Sequence, residues 1–197
     1  NDELGPESTT TFEVGADLSF FQNKLTVDAT YYSQYSSDLI LNVPVAASSG
    51  YTSRTINAGE MSNKGIELTL GVTPVSKEDF KWMASVNFTR NRNVVEKLAD
   101  GVDVVDLPWG FTGANQRLVE GEAYGTLYGS VWERDNSGNV MIDANGVPIT
   151  AANDDIIGDP NPDWLMGINN AFEYKDFKFS FLWDIREGGD IWNGTKG

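Results

Sequence analysis

The chain has 197 residues, no cysteine, no histidine and a formal charge of −15, from 14 Lys+Arg against 29 Asp+Glu. Those absences exclude imidazole acid–base catalysis, Ser-His and Cys-His nucleophiles, disulfides and zinc sites built on histidine or thiolate, and the acidic balance argues against duplex nucleic acid as a partner, which needs a basic face. Hydrophobic residues make up 40% and mean hydropathy is −0.32, and no apolar run approaches the roughly 18 residues of a spanning helix. A membrane β-barrel passes this test unseen, because its alternating strands average out as polar. The sequence opens at Asn1 with neither Met nor an apolar leader, as expected of a processed chain or an excerpt.

A period of two begins at Thr11. Phe12, Val14, Ala16, Leu18 and Phe20 are apolar, whereas Thr11, Glu13, Gly15, Asp17 and Ser19 are polar or small. After Gln22-Asn23-Lys24 the period resumes with Leu25, Val27, Ala29 and Tyr31 against Thr26, Asp28 and Thr30. The pattern predicts a hairpin with one apolar and one wet face. A second hairpin is expected from Ile66, Leu68, Leu70 and Val72, through a turn at Pro74 to Asp79, into Phe80, Trp82, Ala84, Val86 and Phe88. A third runs from Met166, Ile168 and Phe172, through Lys175-Asp176, into Phe177, Phe179, Phe181, Trp183 and Ile185. All seven prolines stand outside these registers, as ladder hydrogen bonding demands, and no helical period competes. The fold class is all-β.

The connections are of two kinds. Turns at 22–24, 74–79 and 175–176 are short, whereas the stretches 32–64 and 92–163 are long and rich in Gly, Asn, Asp and Ser. Soluble sandwiches usually keep loops to about 4–6 residues; outer-membrane barrels pair short periplasmic turns with long outer loops, on strands of about 9–11 residues. Aromatic residues gather near the ends of the apolar stripes, as in the interfacial girdles of barrels, although cross-strand aromatic pairs also fill sandwich cores. An antiparallel transmembrane barrel and a soluble β-sandwich both fit this pattern.

Residues 96–163 hold thirteen Asp+Glu and three bases, Lys97, Arg117 and Arg134, a solvated acidic stretch. Asp135-Asn-Ser-Gly-Asn and Asp143-Ala-Asn-Gly invite a calcium reading. Counting from Asp143, however, puts Pro148 where an EF-hand needs glycine, and both segments read as hairpin turns in which Asn and Gly accept positive φ. No metal and no cofactor are assigned. Acidic pairs such as Asp154-Asp155 are too abundant to select a glycosidase pair, and Gly121 to Gly129 lacks the strand–turn–helix setting of a phosphate loop; no enzyme is expected. Candidate ligand contacts are Trp109, Phe111, Asn115, Trp164 and Trp192, aromatic and amide groups in polar segments able to stack on sugars and bind hydroxyls.

Several segments together resemble the barrel of SusC/RagA-type TonB-dependent outer-membrane transporters. They are Leu4-Gly-Pro-Glu-Ser-Thr-Thr-Thr-Phe-Glu-Val-Gly, Asp28-Ala-Thr-Tyr-Tyr with Asp38-Leu-Ile, Asn57-Ala-Gly-Glu-Met-Ser-Asn-Lys-Gly-Ile-Glu-Leu, Gly121 to Gly129, Gly158-Asp-Pro-Asn-Pro-Asp-Trp and Gly188-Gly-Asp-Ile-Trp-Asn. The resemblance spans essentially the whole chain but only the later strands of a plugged barrel of about 22 strands. It implies an outer-membrane importer of oligosaccharides or peptides in a Gram-negative bacterium. A SusD-like surface lipoprotein would cap it, and TonB would pull through an N-terminal part absent from this chain. The whole of 1–197 is then one partial barrel segment, with 32–64 and 92–163 as its long outer loops. Phe12, Val14, Leu18, Phe20, Ile66, Leu68, Leu70, Phe177, Phe179 and Phe181 are expected to face lipid. Glu13, Asp17, Asp28, Glu67, Lys81 and Asn87 are expected to face the lumen. If all three short turns are periplasmic, 92–163 must begin and end outside. Tyr124 to Trp132 then needs a partner strand, for which Val140 to Ile149 is the candidate. The alternative remains a soluble β-sandwich that binds carbohydrate through Trp109 or Trp164.

Overall fold

A computed structural model describes residues 4–107 and 113–195. Its strands are β1 (Ser8–Phe20), β2 (Leu25–Pro44), β3 (Ser53–Ser76), β4 (Phe80–Leu98), β5 (Val105–Asp106), β6 (Ala114–Leu118), β7 (Thr126–Gly129), β8 (Asp155–Gly158), β9 (Pro162–Tyr174) and β10 (Phe177–Gly188), with a 3-10 turn at Ala47–Ser49. They form a six-stranded sheet in the order β1-β2-β3-β4-β9-β10 and a four-stranded sheet in the order β5-β6-β7-β8, with every pairing antiparallel. The fold is all-β. The large sheet is an open wall, since β1 and β10 lie at opposite edges.

Register turns the alternation of each strand into two continuous faces, because directly opposed residues share a face. One row runs Leu18, Val27, Leu70, Val86, Ile168, Trp183 across the six strands. The row one residue away on the other face runs Asp17, Asp28, Thr69, Asn87, Gly167, Asp184. The apolar face carries no second layer: Phe12 is 63% exposed, Leu18 47%, Phe179 64% and Trp183 59%. A soluble sandwich would seal these rows against a partner sheet, so that alternative is overturned. Near the short turns the apolar face is densely aromatic, with Trp82 stacked on Phe172 at 5.7 Å and Phe172 within 6.4 Å of Phe179. Asn170 falls in one of these rows, where its Oδ1 accepts the Trp82 Nε1–H at 3.1 Å.

On the polar face Tyr32 lies flat across Gly65, where an added Cβ would overlap its ring. The Tyr32 hydroxyl donates to Asn91 Oδ1 at 3.1 Å. The glycine of the Asn63-Lys-Gly-Ile stretch is therefore the seat of an aromatic ring that bridges three strands.

The stretch 32–64, expected as a long connection, is mostly ladder. β2 and β3 pair as far as Pro44 with Ser53, leaving only 45–52 between them. Register shifts at Ser36/Leu39 and Leu39/Ile40, with Asp38 at φ 56°, reset the phase of alternation; beyond that level the period of two breaks in the sequence although the hydrogen bonding continues. β4 likewise runs on to Leu98. β4 and β9 pair directly from Phe80 with Tyr174 to Thr89 with Leu165, so the excursion between them leaves and rejoins the wall at the same end. Within it β7 occupies part of the expected strand at Tyr124 to Trp132, but its partners are β6 and β8 rather than Val140 to Ile149.

Val140 to Ile149 belongs to a compact unit with an eight-residue repeat. Three limbs meet where Glu133 N–H donates to Ile149 O (2.8 Å), Met141 N–H to Glu133 O (2.8 Å) and Ile149 N–H to Met141 O (2.9 Å). Two equivalent turns join them. The Asp135 carboxylate accepts from the Ser137 and Asn139 N–H groups and that of Asp143 from Asn145 and Val147, all at 2.8–2.9 Å. Gly138 and Gly146 supply the positive φ, 84° and 83°. These carboxylates thus serve turns, and their hydrogen bonds hold both below the usual aspartate range, chiefly through Asn139 for Asp135 and the Val147 N–H for Asp143.

The buried core sits at the outer end. Val43, Ala58, Val95, Leu98, Val105 and Leu118 form it, flanked by Leu41, Ile56 and Val102. Val95 and Leu98 pair with Met61 and Gly59 on the polar face of the wall, so the four-stranded sheet is laid against that face and not against the apolar one.

Three measurements follow, all on the full-length parent protein. Leu18→Arg, in the middle of the apolar rows, is expected to cost about 2–4 kcal/mol, read as lost membrane assembly, whereas Asp17→Asn is tolerated. Gly65→Val displaces Tyr32 and is expected to destabilise by about 1–3 kcal/mol, seen as a lower temperature at which the folded, heat-modifiable band disappears. Asp135 and Asp143 have depressed folded pKa values, so their contribution is present above the ordinary aspartate pKa and is lost as pH falls through the folded values. Protection of the Asn139 and Val147 amides, taken relative to their intrinsic exchange rates, should fall in that acidic window, and Asp143→Asn should remove that change in protection at Val147 while keeping the turn.

Candidate functional site

The four-stranded sheet has a buried and an open side. Ala114, Leu118, Leu127 and Val105 are 0–3% exposed and pin one side to the wall, which aims Asn115, Arg117 and Tyr128 from the opposite side. Register brings these together: Asp106 opposes Arg117, Asn115 opposes Tyr128, and Tyr128 opposes Ile156. Arg117 Nε donates to Asp106 Oδ1 at 2.8 Å and Nη2 to Asp154 Oδ2 at 3.2 Å, while its guanidinium lies 5.3 Å over the Tyr128 ring. The Asp106 hydrogen bond raises the guanidinium pKa further, and burial, reinforced by Glu122 and Asp155, raises that of the Tyr128 phenol. The surface therefore offers a neutral hydroxyl, an amide, an aromatic edge and an arginine already matched by two carboxylates. Such a surface hydrogen-bonds and stacks without demanding an anion.

Beyond β8 an open groove of about 670 Å³ runs between the sheet and the three-limbed unit, lined by Ser130, Trp132, Glu133, Arg134, Asp155 and Ile156 among others. Trp132 is 51% exposed there, and Arg134 is steadied by its bond to Gly138 O at 2.8 Å. A polar hub fixes the sheet to the wall. Asn93 Oδ1 accepts the Tyr124 N–H, Asn161 Nδ2 donates to Tyr124 O at 3.0 Å and to Asp159 Oδ1 at 2.7 Å, and Asp159 in turn holds Asp190 through two backbone-linked bonds.

The expected ligand residues separate. Asn115 lies on the open side of the sheet. Trp192 is half-buried, with its ring beside Gly113 at the foot of β6. Trp109 and Phe111 lie outside the described residues. Trp164 departs from expectation: it shares the apolar face with Phe88, ring centroids 6.0 Å apart, and belongs to the outer aromatic girdle, because β9 begins at Pro162, four residues before the alternation that starts at Met166. Arg117, Tyr128 and Trp132 escaped sequence reasoning. Their available signal was slight: Arg117 and Arg134 are two of only three bases in the acidic stretch, and Tyr128 is one of the spaced tyrosines of Gly121 to Gly129.

Comparison with known proteins agrees with this architecture. Residues 1–116 match the family described as TonB dependent receptor-like, beta-barrel. The chain is 34% identical over 217 residues to TonB-dependent receptor P3 of Formosa agariphila, covering 99% of this chain and 22% of that protein. It is 29% identical over 194 residues to TonB-dependent receptor SusC of Bacteroides thetaiotaomicron, covering 92% of this chain and 19% of that protein. Among solved structures, a chain of the RagAB peptide transporter superposes with a TM-score of 0.71 at 25% identity, over 90% of this chain and 21% of that one. The chain thus spans about a fifth of the length of the relatives it matches. These are receptors and transporters of the Gram-negative outer membrane, not a family of enzymes. With its bare apolar face, its short turns at one end and its elaborated strands at the other, the chain belongs to the TonB-dependent receptor β-barrel family and supplies part of a barrel wall.

Proposed function

We propose that this chain forms a wall segment and the ligand-facing outer sheet of an importer for oligosaccharides or peptides. TonB would energise it through a part of the protein outside this chain, and a SusD-like surface lipoprotein would meet the acidic outer excursion. One observation carries the reading: the small sheet is seated on the polar face of the wall, so Asn115, Arg117 and Tyr128 look toward the barrel interior, where a ligand passes. A structural neighbour named as a peptide transporter supports the peptide class. Trp192 beside Gly113 and the groove at Trp132 extend the same surface, and Trp109 and Phe111 remain candidates within 108–112.

Uptake by cells carrying the full-length protein tests this. Depletion of a mixed polysaccharide hydrolysate and a tryptic peptide mixture from the medium, followed by mass spectrometry, should identify a ligand whose uptake stops without TonB. Arg117→Ala combined with Tyr128→Ala should reduce that uptake about tenfold at unchanged surface abundance. Unchanged uptake in the double variant would move the ligand surface elsewhere, and TonB-independent uptake would sink the importer reading.

A further inference from the structure

The outward rows of the wall change character at a definite level. β4 directs Trp82, Ala84, Val86 and Phe88 outward and then Arg90 and Arg92; β3 directs Leu70, Leu68 and Ile66 outward and then Lys64. Ile66 opposes Arg90 and Lys64 opposes Arg92, with no register shift between Val72 and Met61, so the three cations stand on the same face as the apolar rows. Val14 and Tyr31 share the row of Ile66, and Phe12 and Ser33 that of Lys64. Ten residue steps separate Phe80, at the short-turn rim, from Arg90. At about 3.3 Å per residue and a tilt of about 40° the strand climbs about 25 Å over that span, the height of a barrel's apolar band. Arg90 thus stands where hydrocarbon gives way to headgroups of the outer leaflet.

Charge is unusual at this level. In a chain of net charge −15, three exposed cations converge and are poorly neutralised. Arg92 pairs with Asp163, and both are about half exposed; Lys64 and Arg90 have no ion pair among the described residues. The nearest acids above form no ion pair with them among the described residues: Glu60 accepts from the Tyr35 hydroxyl and Glu96 from Ser62 Oγ at 2.5 Å. Glu187, opposite Trp164, stands on the same outward face two strands from β4 and forms no ion pair with Arg90.

We infer that Lys64, Arg90 and Arg92 form a site for the phosphate groups of an anionic lipid of the outer leaflet, with Leu68 and Phe88, one row beneath Arg90, against its acyl chains. Guanidinium forks match phosphate oxygens bidentately, and lysine adds a mobile point charge. A cationic ring immediately above hydrocarbon attracts anionic headgroups and lets long side chains rise into them. A free phosphate ion would find an open, hydrated cluster here; a lipid also gains the apolar rows beneath, which selects the lipid. The site is on the membrane side of the wall and is independent of the ligand surface within.

The test uses the full-length protein purified in detergent and titrated, by native mass spectrometry, with diphosphoryl lipid A, dephosphorylated lipid A and inorganic phosphate. Diphosphoryl lipid A is expected to bind. Lys64→Gln, Arg90→Gln and Arg92→Gln together should weaken it roughly a hundredfold and Arg90→Gln alone about fivefold. Substituting Lys24, Lys77 and Lys175 at the short turns by Gln should leave binding unchanged, and exchanging Arg and Lys at the three sites should retain it. The single Arg90 variant carries the test should the triple variant fail to show heat-modifiable folding. Equal binding of dephosphorylated lipid A, equal affinity for inorganic phosphate, unaltered binding by the Arg90 and triple variants, or an equal loss in the short-turn variant would each overturn the assignment.

Discussion

A peptide N–H or C=O in hydrocarbon has no water to bond with, and that constraint shapes everything else in this chain. Each strand must pair on both edges for the whole thickness of the membrane. The four inner strands β2, β3, β4 and β9 pair on both edges through the apolar rows, with one register shift there, at Val72/Val75 near the short turns, and the other shifts toward the outer ends. Once pairing is obligatory, the side chains are free to differ completely between the two faces. One becomes apolar and aromatic because lipid is its solvent, and the other takes Asp17, Asp28, Glu67 and Asn87 because water or protein is.

Beyond the membrane the same strands come under a different constraint. Exposed to water on the outside, they can tolerate bulges, and the bulges turn Ala58 and Val43 toward Val95 and Leu98 to make the buried core. That core holds the small sheet on the inner side. Its location explains the split of labour: apolar residues inside at the outer end fix the small sheet, and apolar residues outside at membrane depth fix the barrel. Between these levels stand Lys64, Arg90 and Arg92, on the outward face just above the apolar rows.

The wall was legible in the sequence because lipid on one side enforces strict alternation, so Phe12 to Phe20, Ile66 to Val72 and Phe177 to Ile185 each declare their face. Those residues stand on the bare side in the structure. Legibility faded where that enforcement stopped. The outer halves of β2 and β3 pair residue for residue yet look like loop, since both faces there are wet or covered locally and the phase is reset at Asp38. The aromatic at Trp164 misled for a related reason: surrounded by Pro, Asn and Asp, it reads as a loop residue, but the first turn of pairing in β9 carries it to the girdle.

Composition and periodicity thus sufficed for fold class, for the apolar rows and for the acidic character of the outer excursion, because these depend on the solvent each residue meets and on its immediate neighbours. The open side of the small sheet did not emerge in that way. Asn115 was an expected ligand contact, but nothing in the sequence joins it to Arg117, Tyr128, Asp106 and Asp154; they meet because β5, β6 and β7 pair with one another and because Val105 and Leu118 are drawn into a core made by Val43, Val95 and Leu98. Contacts of that range are set by packing between elements, and no local pattern of residues encodes them.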